Sequence, residues 1–287
     1  MPIAIQTLSN VPNKTVTFDF PNEVLSFVVG ISYWDFTYGG DDHHIETISL
    51  KVNANQPSSK QVTATIIGEF RDDSGNKING DASKVKVCCI AVITAQNPNI
   101  DLVNVNNIAS GSQSNAIALP GSSLGLANAF LSGLNLSYGN KDHHVEQVQM
   151  SAGLNPSGNQ GFITSTAQMS DDSGHNASGY INAGLVAVSV GQTGILGQAV
   201  INKQTGSSFS VDFGQTISAA CALIQSYKVT YGSDDHHVQT IGGGCSGWKV
   251  SGSKVTLNNA QAFISDDSGH NQSDSNSDVS MIVFAVP

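Results

Sequence analysis

The sequence is short of charge. Asp, Glu, Lys and Arg make up 12% of the 287 residues, roughly half the usual share. Only 12 of these positions are basic against 22 acidic, for a net charge of −10. A chain with so few Lys and Arg has little with which to neutralise a phosphate backbone or to hold an anionic membrane surface. Nucleic acid is therefore excluded as a partner. Long apolar runs are also missing: none approaches the ~20 residues that a bilayer-spanning helix needs, so no membrane insertion is expected. Met1 to Asn10 has neither the basic nor the apolar region of a signal peptide. The expectation is a soluble protein, cytoplasmic or released by a route without such a signal.

Cysteine is scarce. Cys88 and Cys89 are neighbours and should face opposite sides of a strand. Cys221 and Cys245 could pair, but nothing in their spacing demands it, and buried free thiols are the simpler reading. Catalytic signatures are missing too. The chain has no Gly-x-Ser-x-Gly elbow, no phosphate or dinucleotide glycine loop, no His-Glu-x-x-His and no cysteine beside an obvious base. No segment sustains a capped 3.6-residue periodicity, so helix content should be very low. These absences favour a binding protein over an enzyme.

What the chain does have is an internal triplication. Tyr38-Gly39-Gly40-Asp41-Asp42-His43-His44-Ile45 recurs as Tyr138-Gly139-Asn140-Lys141-Asp142-His143-His144-Val145 and as Tyr231-Gly232-Ser233-Asp234-Asp235-His236-His237-Val238, at offsets of 100 and 93 residues. A second block, Asp72-Asp73-Ser74-Gly75, returns as Asp171-Asp172-Ser173-Gly174 and Asp266-Asp267-Ser268-Gly269, at offsets of 99 and 95. Fixed-period self-similarity of this kind marks a repeat architecture.

Each repeat reads as a run of strands. In the first, Thr15–Phe20 alternates with period two, Val24–Tyr38 is a long apolar strand, and Ile45–Val52 follows the Gly-rich turn. Asn53–Ser59 reads as a polar loop, Val62–Phe70 as the next strand, and Lys84–Ile93 as the last. In the later repeats Ala116–Leu119 and Ser210–Phe213 are first strands, and Leu185–Val190 and Met281–Val286 are last strands. The fold class expected is all-β: three tandem antiparallel β-sandwich repeats arranged as a pseudo-trimer. The repeats span 1–96, 97–192 and 193–287, with boundaries near Gln96 and Gln192. The Asp-His-His turn joins the second and third of these strands and the Asp-Asp-Ser-Gly turn the fourth and fifth, so the two blocks should meet at one end of each unit.

These turns hold the candidate site residues. Consecutive strand residues face opposite sides, so the two imidazoles of each pair should serve different roles. His43, His143 and His236 are assigned to the inside, where three imidazoles could hold a divalent ion. His44, His144 and His237 are assigned to an outward ligand, together with Tyr38, Asp42, Tyr138, Asp142, Tyr231 and Asp235. The other reading is that these histidines bond Asp or backbone groups and fix the turn. The second block adds Asp72, Asp73, Asp171, Asp172, Asp266 and Asp267, with His175 and His270 beside it in repeats two and three but Asn76 in repeat one. Asp, Ser and Gly also make a good turn unaided. The Asp pairs are reminiscent of a calcium loop, but its longer ligand spacing and distant Glu are missing. Zinc and calcium are the candidate cofactors.

The order of segments resembles the H-type lectins. Phe18-Asp19-Phe20-Pro21 closes the first of these strands, Val24–Tyr38 follows, and Val85–Ile93 ends the unit. The resemblance implies six-stranded antiparallel sandwiches that assemble as trimers and bind N-acetylgalactosamine or related sugars; three units in one chain would imitate such a trimer. The expectation is then a multivalent carbohydrate-binding protein with glycans as partners, and with homo-oligomers as a further prospect. Copying a site three times raises avidity. The alternatives are a structural or assembly protein and a metal-binding protein built on the Asp-His-His turns.

Overall fold

The computed structural model describes residues 3–94, 99–121, 124–191, 194–202 and 207–287, with backbone alone at 178, 202 and 207. The boundaries placed near Gln96 and Gln192 lie outside the described residues. The first repeat contains β1 (Ile3–Asn10), β2 (Lys14–Asp19), β3 (Val24–Thr37), β4 (Thr47–Ser58), β5 (Gln61–Arg71) and β6 (Lys84–Ile93). The second contains β7 (Ile100–Ala109), β8 (Ile117–Ala118), β9 (Leu124–Ser137), β10 (Gln147–Ser157), β11 (Gln160–Ser170) and β12 (Asn176–Ser189). The third contains β13 (Leu196–Asn202), β14 (Ser207–Asp212), β15 (Ala219–Thr230), β16 (Thr240–Ser251), β17 (Lys254–Ser265) and β18 (Asp278–Val286). The fold is all-β and antiparallel, with no helix among the described residues.

Two features differ from the expectation. Each repeat opens with a strand that its sequence does not announce, β1, β7 and β13, lying along β6, β12 and β18. And Asn53–Ser58, expected as loop, continues β4 into a hairpin with β5. This end of β4 is exposed, so polar side chains satisfy both faces and hide the strand from a hydrophobicity reading.

The sheets cross repeat boundaries. β1, β6 and β3 form half of one sheet, which β16, β17 and β14 of the third repeat complete through Thr37–Thr240 to Tyr33–Gly244. β7, β12 and β9 join β4, β5 and β2 through Ser137–Thr47 to Gly133–Lys51. β13, β18 and β15 join β10, β11 and β8 through Thr230–Gln147 to Ser226–Ser151. Each repeat therefore lends three strands to each of two sheets, and the partnership runs first to second, second to third and third to first. A two-residue ladder, Met169–Ala177 and Ser170–Asn176, also links β11 to β12.

β3 and its counterparts are buried on both faces, which is why they read as nearly continuous apolar runs. Val29 and Ile31 lie in the main core, while Val28 belongs to a second core. This second core gathers residues from all three repeats, among them Val28, Cys88, Phe130, Val186, Leu223 and Phe284. Aligned on Tyr38, Tyr138 and Tyr231, the residues Gly30, Phe130 and Leu223 occupy one position of the repeat. A Cβ on Gly30 would lie 2.6 Å from the Phe130 ring and 3.0 Å from Leu223, and a Cβ on Gly184 would lie 2.3 Å from Phe130. One aromatic ring thus fills space that two glycines vacate, so the three copies have diverged to share one close-packed centre.

All four cysteines are free and buried. Cys88 and Cys89 fall in different cores, as alternation requires, and so do Cys221 and Cys245, which do not pair.

Candidate metal centre and its flanking turns

The turn after β3, β9 and β15 begins with a glycine at positive φ: Gly39 at 108°, Gly139 at 93° and Gly232 at 128°. Such a backbone strongly favours glycine, and it swings the Asp-His-His segment across the repeat boundary. There the segments pair reciprocally. Ile45 and His143 exchange amide-to-carbonyl bonds of 2.9 and 3.1 Å, Val145 and His236 bonds of 2.9 and 3.1 Å, and Val238 and His43 bonds of 2.9 and 3.2 Å. The three segments thus close a ring.

Side-chain direction follows from this pairing. Ile45, Val145 and Val238 are fully buried. His43, His143 and His236, two residues earlier, point to the same side, against Tyr38, Tyr138 and Tyr231 of their own repeats at ring separations of 4.8, 4.6 and 4.8 Å. The alternate residues, His44, His144 and His237, meet one another instead, with ring centroids 4.5, 4.5 and 4.6 Å apart. The expected meeting of His43, His143 and His236 is thereby corrected: these rings face the interior of their own repeats, and the second histidine of each pair converges instead. One ring nitrogen from each lies within 4.8 Å of the others.

Each converging histidine is held by the next repeat. His44 Nδ1 donates to Asp142 Oδ1 at 3.1 Å, His144 Nδ1 to Asp235 Oδ1 at 2.9 Å, and His237 Nδ1 to Asp42 Oδ1 at 2.9 Å. The other carboxylate oxygens accept backbone amides of the second block: Asp73 N–H to Asp142 at 3.4 Å, Asp172 N–H to Asp235 at 3.4 Å and Asp267 N–H to Asp42 at 3.3 Å. Burial raises the pKa of Asp42, but the His237 ring and the Asp267 amide outweigh it and hold the carboxyl below its ordinary range.

This donor set could hold a metal ion. A carboxylate on Nδ1 fixes the tautomer and leaves the Nε2 lone pair for an ion. Three imidazoles and an open fourth position suit Zn²⁺ or a similar borderline cation, whereas Ca²⁺ prefers oxygen. The three side chains are 39, 40 and 41% exposed, so water can reach the fourth position.

Beside the ring lie the Asp-Asp-Ser-Gly turns. Asp72, Asp171 and Asp266 are buried and bond their own turns: each accepts the amide four residues on, that of Asn76, His175 or His270, at 2.8 Å. These turns are closed by their own backbone and do not form a calcium cage. Burial pushes all three carboxyls up, and the bonds from Asn76, His175 and His270 more than reverse it, leaving each below the usual range. The second oxygen of Asp171 takes His175 Nδ1 at 2.6 Å and faces His143 Nδ1 at 3.1 Å. In the third repeat the corresponding distances from Asp266 are 2.5 Å to His270 and 3.7 Å to His236. In the first, Asn76 replaces the second histidine, and His43 lies 3.6 Å from Asp72.

The tyrosines sit beneath the turns. Tyr38 and Tyr231 donate to the His44 and His237 carbonyls at 3.3 and 2.9 Å, while the buried Tyr138 hydroxyl lacks a partner. Burial, with acidic neighbours, raises all three phenols. Asp73, Asp172 and Asp267 are the exposed carboxylates of the group, each with its neighbouring serine hydroxyl 3.3–3.4 Å away. Ser74, Ser173 and Ser268 thus stand beside the exposed carboxylates, and Asn76 beside Asp72.

Comparison with protein-family models and with curated proteins returns no match.

Proposed function

We propose that this chain is a three-sited carbohydrate-binding protein whose repeats form a pseudo-trimer around a metal ion held by His44, His144 and His237. The observation that carries this reading is the cyclic clamp of each histidine by the next repeat's aspartate. It sets three copies of one exposed Asp-Ser turn around one centre. Asp73-Ser74, Asp172-Ser173 and Asp267-Ser268 offer the carboxylate and hydroxyl groups that grip sugar hydroxyls, on a surface of low charge. The six strands of each repeat and the sharing of sheets between repeats support the resemblance to H-type lectins, and with it N-acetylgalactosamine or a related sugar as ligand. In this reading the metal organises the vertex and the aspartates contact the sugar.

The test is ligand-observed NMR with a panel of free monosaccharides that includes N-acetylgalactosamine, repeated on the Asp73→Ala/Asp172→Ala/Asp267→Ala variant. The account expects selective binding by the native chain and its loss in the variant. Binding that survives in the variant would place the site elsewhere.

A second reading, an assembly protein with a metal-locked vertex, is favoured by one observation. Both oxygens of Asp42, Asp72, Asp142, Asp171, Asp235 and Asp266 are occupied within the protein. It predicts metal binding without sugar binding.

A further inference from the structure

We propose that the second and third repeats each carry a lateral transition-metal site, His143–Asp171–His175 and His236–Asp266–His270, that the first repeat lacks. In each cluster one carboxylate oxygen and two imidazoles come together, with all three ligand atoms within 4.8 Å of one another. The edges from the carboxylate, 2.6 and 3.1 Å in one and 2.5 and 3.7 Å in the other, bracket the ~3.3 Å that separates ligands around a tetrahedral ion with bonds of about 2.0–2.1 Å. The rings already lie side by side, 4.3 Å apart at 35° and 4.0 Å apart at 22°. An ion between them displaces the Nδ1 proton that His175 or His270 shares with the carboxylate, which leaves to solvent, and widens that edge by under about 1 Å.

The cluster is preorganised on its buried side and open on the other. Asp171 and Asp266 are 5 and 7% exposed, and their Oδ1 atoms are fixed by the amides of His175 and His270. His175 and His270 are 58 and 54% exposed, so water can complete the coordination. Two nitrogens and one carboxylate oxygen suit Zn²⁺, Ni²⁺ or Cu²⁺ rather than Ca²⁺ or Mg²⁺.

The first repeat supplies the internal control. Asn76 makes the same turn bond to Asp72 at 2.8 Å, but its amide Nδ2 also donates to Asp72 Oδ2 and lies 3.1 Å from His43 Nδ1. An amide NH2 has no lone pair to give a metal, whereas the imidazoles of His175 and His270, which donate Nδ1–H to the same carboxylate oxygen, can release that proton to solvent and ligate. Only this turn is therefore closed to a cation. Because Asn is tolerated there, histidine-to-asparagine substitutions in the other repeats should keep the turn.

The proposal stands apart from sugar binding and from the central site, because its readout is a difference in stoichiometry. The full-length protein, stripped with EDTA, is titrated with Zn²⁺ by calorimetry, and metal content is measured after desalting. The native chain is expected to bind two more equivalents than the His175→Asn/His270→Asn variant, whether or not the central histidines take a further ion. The Asn76→His variant should gain one equivalent. Equal stoichiometry in the native chain and the double variant, or no gain with Asn76→His, would overturn the proposal.

Discussion

Asp142, in the second repeat, accepts a hydrogen bond from His44 Nδ1 in the first, 3.1 Å away. With its other oxygen it takes the Asp73 amide, so one carboxylate binds both marked turns of its neighbour. The same arrangement recurs at Asp235 and Asp42. The ring is thus held by side chains as well as by shared sheets.

Replacing Asp142 by Asn should therefore weaken two properties together. Losing the orienting carboxylate of a ligating histidine is expected to lower Zn²⁺ affinity at the central site about 10–100-fold. Loss of the hydrogen bonds should lower stability by about 1–3 kcal/mol. Zinc titration and urea unfolding read the two effects. Unchanged affinity would mean that the histidines do not act through this bond.

The divergent centre makes a separate prediction. Gly30→Ala should destabilise the protein by about 1–3 kcal/mol, because the new methyl meets the Phe130 ring. Introduced into a Phe130→Leu background, the same change should cost less, and a double-mutant cycle by chemical denaturation measures the coupling. Additive effects would show that the two positions do not share space.

Acid stability follows from the direction of the Asp72 shift. The folded carboxyl lies below its ordinary value, because hydrogen bonds from Asn76 outweigh burial. A carboxyl depressed in this way stabilises the fold above the unfolded value near pH 4 and loses that contribution as pH falls through its folded pKa. Unfolding of metal-free protein should therefore become easier below about pH 4, and Asp72→Asn should flatten that decline. A decline of the same steepness in the variant would assign it to other groups.

Much of this organisation was legible in the chain. The paired blocks disclosed the triplication, alternation in Thr15–Phe20 disclosed strands, and the absence of capped helical periods excluded helices. The first strand of each unit was hidden because β1 is an edge strand that alternates little, mostly half-buried along Ile3–Asn10. The sharing of sheets left no local trace, since β3 pairs with both β6 and β16 through backbone groups that any sequence provides. The histidine faces were within reach. Ile45, Val145 and Val238 had to be buried, and period-two alternation from them puts His43, His143 and His236 on the interior side of each unit and leaves the other three to meet. The cross-repeat aspartate clamp was beyond reach, because it depends on residues 98, 91 and 195 positions apart.

The most direct test of the central claim is a glycan array printed at graded glycan densities and probed with zinc-loaded and EDTA-stripped protein. Three sites on one rigid ring predict binding to a defined sugar class that rises steeply with density, because linked sites act at high effective concentration, and that is weaker after stripping, when the vertex loosens. No binding to any glycan at any density, with the metal or without it, would contradict the carbohydrate-binding account.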